Sequence, residues 1–142
     1  MIVKERIGAY GVIIIDNKIA LVMKKNGGYK GKYDLPGGGN EHNESLEDTL
    51  KREIKEEIGR NVINYELLNC YTFNIKWQMD NGEYEDLHHI GIIYKVELDN
   101  YDILSISELD TDYSKWVDIN TITEDMVTPF TWYSLKELKF EK

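Results

Sequence analysis

The residues of this chain best suited to chemistry are the glutamates Glu44, Glu53, Glu56 and Glu57. They lie in residues 35–59, which read LPGGGNEHNESLEDTLKREIKEEIG. In a helix each residue turns by ~100°, so with Glu53 at zero, Glu57 falls near +40° and Glu56 near −60°. The apolar Leu46, Leu50, Ile54 and Ile58 span roughly +20° to +140° on the same wheel. Glu53 and Glu57 therefore border the buried stripe, whereas a solvated acidic face would lie opposite it. Glu56 and Glu57 also sit in the last turn, where the helix dipole disfavours each by ~0.3–1 kcal/mol. Glu53 and Glu57 repel each other at i,i+4. Arg52 can pair with Asp48 and Glu56, and Lys51 with Glu47, which leaves Glu53 and Glu57 uncompensated. A hard divalent cation would compensate them, since Mg²⁺ takes one or two carboxylates plus substrate phosphates. On charge alone a solvated acidic face accounts for the helix equally well. The turn before it, Pro36 with Gly37, Gly38 and Gly39, lets backbone approach a ligand. It is not a P-loop, because no Gly-Lys-Ser/Thr follows.

The elements that must hold these residues are legible in outline. Ser45 is an N-cap with Asp48 three places on, and Gly59 stands where a C′ glycine ends a helix. Apolar runs at 9–15 and 19–23 around Asp16-Asn17-Lys18 predict a hairpin. Asn26-Gly27-Gly28 and Gly31 mark a loop, and residues 33–35 a short strand stopped by Pro36. Residues 62–77 read as one long or broken strand, Asn81-Gly82 as a hairpin turn, and 87–98 as the return strand. Residues 100–113 read as an acidic loop, 115–119 as a short strand, and 131–138 as a helix after Pro129. Strands, helix, strands, helix is the order of a mixed sheet packed between helices.

Length and composition set bounds. The 142 residues fit one domain, 1–142, and 42% hydrophobic with 30% charged residues is ordinary globular usage. A net charge of −9 disfavours a nucleic-acid backbone as partner. The strongest apolar run, residues 12–15, is far too short to cross a membrane. The N-terminus lacks the apolar stretch of a signal peptide, and the single Cys70 can form no internal disulfide. The expectation is a cytoplasmic protein.

Gly38, five residues, Glu44, seven residues, then Arg52-Glu53-Ile54-Lys55-Glu56-Glu57-Ile58-Gly59 resembles the signature of the Nudix hydrolases. Every specified position matches but the last, where Arg60 replaces an apolar residue and Val62 is the candidate to take over its packing. Residues 35–39 and Glu41 look like the usual lead-in. The resemblance implies an α/β/α sandwich with a mixed β-sheet, of the MutT-like group. It also implies Mg²⁺-dependent (or Mn²⁺-dependent) hydrolysis of a nucleoside diphosphate linked to another moiety, such as a nucleoside triphosphate or nucleotide sugar. Glu53, Glu56 and Glu57 would be metal ligands, with a carbonyl of Gly37 or Gly38. Arg52 would orient a glutamate, Glu44 would structure the loop–helix junction or bind an outer-sphere water, and Glu53 or Glu57 would activate water. Many members are dimers, so a homodimer is the matching expectation. Two other readings stand beside this one: a nucleotide-sensing Nudix domain without turnover, and an acidic helix with a purely structural role that would show no metal response.

Beyond the box, many relatives supply a further acid before a late strand. Glu108 is the first candidate here, ahead of Asp110 and Asp112. Arg6, Lys24, Lys25 and Lys32 are candidates for phosphate contact, and Trp77, Tyr33 and Phe130 for stacking on a base. Tyr29 could cover a ligand. His88 and His89 must face opposite sides of their strand. The downstream proline or tyrosine markers of the ADP-ribose and dinucleoside polyphosphate subgroups are absent around residues 74–77.

Overall fold

Parity along the strands builds the layers. In the computed structural model, which describes residues 1–103 and 112–138, β1 runs over Ile2–Val12. Its Ala9, followed by Ile13, packs with Leu50, Ile54 and Ile58 of α1 (Leu46–Ile58), while Tyr10 and Val12 pack with Phe130 and Leu135 of α2 (Pro129–Glu137). Ala20 on β3 (Lys18–Met23) faces the first cluster, and Ile19 and Leu21 the second. The two helices thus cover opposite faces of the strands, because successive strand residues point to opposite sides. This is the expected α/β/α sandwich.

Among the described residues the strands form two four-stranded sheets. The first has the order β5-β1-β7-β6, with β5 at Gly37–Gly39, β6 at Val62–Gln78 and β7 at Tyr84–Leu98. It is mixed, since β1 and β7 are parallel and its other pairs antiparallel. In the second, β2 (Ile14–Ile15), β3 and β4 (Tyr33–Asp34) pair in order, with β8 (Tyr113–Asp118) on the other edge of β3.

Two expectations need correction. The hairpin of residues 9–15 and 19–23 is divided between the sheets, and only Ile14 and Ile15 pair with β3. Asp16 and Asn17, both at positive φ (51° and 61°), make its two-residue turn. The longer strand starts at Ile2; its first six residues are exposed and carry Lys4, Glu5 and Arg6, so no buried alternation marks them. Second, Gly37–Gly39 is more than a turn: it is strand β5, antiparallel to Gly8, Ala9 and Tyr10.

The signals of the first helix hold as read. Ser45 Oγ accepts from the Asp48 N–H at 3.0 Å, and Gly59 at φ 79° closes the helix through a bond to the Lys55 carbonyl. Val62 packs against the α1 cluster, while Arg60 turns outward to donate to the Asp102 carbonyl at 2.5 Å. β6 is one strand with irregularities near Val62 and Leu67. Pro129 lies inside α2 rather than before it, capped by Thr128; a first-turn N–H has no helical partner to lose.

Candidate active site

The glutamates take their positions from the meeting of α1 with β5. Glu53 and Glu57 are partly buried and Glu56 is exposed, the order the helical wheel predicts. Gly37 donates its N–H to Glu57 Oε1 at 2.8 Å. Gly38 lies so close that a Cβ there would stand 2.5 Å from the Glu53 carboxyl carbon. Only glycine lets the β5 backbone touch the Glu53 carboxylate, which is the physical meaning of this glycine in the motif.

Arg52 is the strut of the arrangement. Its guanidinium meets Glu44 at 2.8 and 3.0 Å, Glu53 at 2.8 Å and the Gly39 carbonyl at 3.3 Å. Glu56 lies 3.7 Å away, and the expected pairing with Asp48 is replaced by that with Glu44. The bidentate grip matches the planar fork of arginine to a carboxylate. Glu44 also accepts from Thr49 Oγ1 at 2.5 Å and from the Glu41 N–H. The Arg52 bonds, then that of Thr49, bring the Glu44 carboxyl down to about 2. Arg52→Lys keeps the charge and loses the fork. It is expected to lower kcat about tenfold or more, ~1.4 kcal/mol or above in barrier. Carboxyl titration by NMR should show Glu44 moving back up toward the usual carboxylate range; an unchanged kcat would remove Arg52 from the positioning role.

Glu53 and Glu57 line an open pocket with Gly37–Gly39, and Arg6, Lys24, Asn26 and Asp112 form the rest of its wall. Burial pushes the Glu57 carboxyl up to about 8, with Glu53 and Asp34 adding to it; the Gly37 N–H and Lys24 act against the rise. Burial acts to lower the Lys24 ammonium, but the bond to Asp112 and the charges of Asp34 and Glu57 raise it overall. That salt bridge is 3.0 Å long, and Asp112 also accepts from the Lys25 N–H at 2.7 Å.

Of the predicted phosphate contacts, Arg6 and Lys24 therefore reach the pocket. Lys25 lies over the Tyr113 ring, and Lys32 donates to the Asp125 carbonyl. Glu108 and Asp110 lie outside the described residues; Asp112 is the acid of that loop seen on the pocket wall. His88 and His89 do face opposite ways. His89 is buried between Tyr10 and Tyr29, 2.7 and 3.3 Å from their hydroxyls, and burial lowers it to about 4. Phe130 is wholly buried, Tyr33 packs against the core near α2 under Lys115, and Trp77 alone of the three stacking candidates lines a pocket beside the site. Asn26, read only as part of a loop, and Glu85 were missed as pocket residues, since a lone asparagine in a glycine loop and an acid in a strand carry no pattern of their own.

The donor set fits a hard divalent cation. Two carboxylates line the pocket where a glycine strand brings backbone against them, and the partly buried Glu57 accepts from the Gly37 N–H. Among the described residues no group of three or more acidic, histidine or cysteine side chains stands ready as a metal cage.

Fold and glutamates together define a Nudix-type α/β/α hydrolase framework. The NUDIX domain family model matches residues 5–138. The chain is 51% identical over 62 residues to an ADP-ribose pyrophosphatase of Methanocaldococcus jannaschii, covering 44% of this chain and 37% of that protein. It is 34% identical over 111 residues to the nucleoside triphosphatase NudI of Escherichia fergusonii, covering 73% of this chain and 77% of the relative. In fold it resembles the crystal structure of a MutT NUDIX hydrolase from Burkholderia pseudomallei, with a TM-score of 0.75 at 24% identity over 95% of this chain and 98% of that one. The chain belongs to the Nudix family of hydrolases, as a MutT-like member. Its reaction class, hydrolysis of phosphoanhydride bonds, comes with that membership.

Proposed function

We propose that the chain is a Mg²⁺-dependent pyrophosphohydrolase, with Mn²⁺ able to replace Mg²⁺, that cleaves a nucleoside diphosphate linked to another moiety. Nucleoside triphosphates and nucleotide sugars are the substrate types. The observation that carries this reading is one pocket wall: Glu53 and Glu57 beside Gly37–Gly39, with Arg6 and Lys24 on the same cavity. Acids and cations in one pocket suit a ligand that brings both metal and phosphate. The two named relatives, an ADP-ribose pyrophosphatase and a nucleoside triphosphatase, act on substrates of this kind.

Glu53, Glu56 and Glu57, a carbonyl of Gly37 or Gly38, and Glu108 from the acidic loop are the groups assigned to hold the metal. When bound, a divalent cation neutralises the anhydride and acidifies water. The chain's own groups do the rest. Glu53 or Glu57 takes the proton of the attacking water. Arg52 and Glu44 hold the carboxylates in place, and Arg6 and Lys24 meet phosphate oxygens, their charge set against the anion. A single domain of residues 1–142, a cytoplasmic setting and a homodimer belong to this reading. The net charge of −9 supports a small-molecule rather than a nucleic-acid partner. No helix among the described residues is long and apolar enough to cross a membrane.

The test is a panel of nucleoside triphosphates, nucleotide sugars and ADP-ribose with Mg²⁺ or Mn²⁺, read by product identification. Release of a nucleoside monophosphate above the background of a Glu53→Gln/Glu57→Gln double variant is expected. Equal rates for the two proteins would end the proposal.

A further inference from the structure

We propose that Ser114 is a positioning residue for Glu57: its hydroxyl, reaching from β8 to the end of α1, sets where that carboxylate stands against the glycine strand. This deepens the hydrolase reading above and rests on it for what Glu57 does with metal. Pairing in the second sheet aims the hydroxyl. Ser114 of β8 stands opposite Val22 of β3, and Trp116 opposite Ala20. Ala20 and Trp116 pack with the α1 cluster, so Ser114, two residues from Trp116, faces the helix as well. It is 1% exposed and donates to the Glu57 main-chain carbonyl at 2.8 Å.

That carbonyl needs a donor from outside the helix. The last four carbonyls of a helix have no N–H four residues on. Gly59 takes the Lys55 carbonyl, after which the chain leaves the helix for β6, and Ser114 supplies the donor for Glu57. A carbonyl packed against a strand is unfavourable without a partner, so the hydroxyl holds the last turn of α1 to β8. Glu57 is thereby fixed at both ends: its main chain by Ser114, its carboxylate by the Gly37 N–H at 2.8 Å. Arg52 does not share this task. Among the described residues its ion pairs go to Glu41, Glu44, Glu53 and Glu56, and none to Glu57.

The same stretch of chain fastens the cation side of the pocket. Asp112, two residues before Ser114, takes the Lys24 ammonium at 3.0 Å on one oxygen and the Lys25 N–H at 2.7 Å on the other. Glu57 and Lys24 line one pocket, and both are tied to the entry of β8. Their spacing is therefore set by a segment that belongs to neither α1 nor the glycine strand. Groups that hold a metal-binding side chain in place affect metal affinity and activity about ten- to a hundredfold. Ser114 acts in that way, through the main chain of the residue it places.

The experiment compares the full chain with Ser114→Ala, Ser114→Thr and Val117→Ala. The last trims the other face of β8 and controls for lost stability alone. In metal-free protein, hydrogen exchange of the Gly37 amide reads whether Glu57 still reaches it. Measured against the amides of β7, Ser114→Ala should speed that exchange about tenfold. Calorimetry should show Mn²⁺ binding weakened about tenfold in Ser114→Ala. Its kcat should fall while KM for a nucleoside triphosphate stays within about twofold. Ser114→Thr keeps the hydroxyl and should restore all three readouts. Val117→Ala should melt lower and leave them unchanged. Ser114→Cys, close in size but a weaker donor, carries the test if Ser114→Ala fails to fold, with Mn²⁺ bound about threefold more weakly. Gly37 protection and Mn²⁺ binding unchanged in Ser114→Ala, or equal losses in Val117→Ala, would overturn the positioning role. Faster Gly37 exchange in Ser114→Ala, with neither Mn²⁺ binding nor turnover in the wild type, would support that role and overturn the hydrolase reading.

Discussion

Replacing Glu57 by glutamine is expected to remove most of the hydrolysis while making the metal-free protein more stable at alkaline pH. Losing a carboxylate that holds the metal or accepts the proton should cost ~10²–10⁴ in rate. The stability effect has the opposite sign for a separate reason. Burial raises the folded carboxyl from its usual 4.5 to about 8, with Glu53 and Asp34 contributing. Between those values the folded chain holds a proton that the unfolded chain has released. Glu57's stabilising contribution is thus fully present below about 4.5 and is lost as pH rises through about 8. Within the window the slope is at most about 1.4 kcal/mol per pH unit. Glutamine keeps the size and cannot ionise, so in EDTA at pH 8–9 Glu57→Gln should melt above the wild type. Millimolar Mg²⁺ should reverse the order, because a ligand that binds only the folded state raises the midpoint and a metal takes the deprotonated carboxylate. Melting curves over pH with EDTA or Mg²⁺ decide it. Wild type melting higher at alkaline pH in EDTA would show that Glu57 is not penalised there.

Phe130→Ala is expected to cost about 3–5 kcal/mol, which lowers the midpoint by roughly 10–15 °C for a chain of this length. Phe130 is fully buried in α2, with ring centroids 5.5 Å from Tyr10, 5.2 Å from Phe73 and 4.7 Å from His89. It joins the helix to both central strands of the first sheet and packs the base of the Tyr10–His89–Tyr29 hydrogen bonds. The cavity left behind cannot close easily, since neighbouring strands fix its walls. Gly91 faces the same ring: a Cβ on it would stand 2.6 Å from Phe130 Cε1. Gly91→Ala alone should therefore destabilise by overpacking, and should be harmless or helpful once Phe130 is alanine. Chemical denaturation of the four proteins forms a double-mutant cycle, with a coupling of ~0.5–3 kcal/mol expected. Additive losses would mean that the two positions do not share this space.

The box carries its own evidence in the order of its residues because most of what it does is local. A helical repeat places Glu53 and Glu57 at the border of the apolar stripe, and Gly59 and Ser45 end the helix with no help from the rest of the chain. The metal-site reading needed only that geometry and the motif. Neither could show why Gly38 has no side chain, since the reason is the Glu53 carboxylate fifteen positions away, brought against it by β5 pairing with β1. Arg52 could be given a glutamate to orient, but only the folded chain chose Glu44 over Asp48, because the loop before the helix doubles back.

Farther from the box the tertiary structure decides more. Residues 2–6 show no buried alternation, yet they form a strand because β7 offers a parallel partner along its length. Pairing then sets Lys4 and Arg6 on the face that carries Trp77 and Glu85, residues separated from them by some seventy to eighty positions. The motif thus carried the family and its reaction class, hydrolysis of phosphoanhydride bonds. That shared face arises from strand register, which no local pattern encodes.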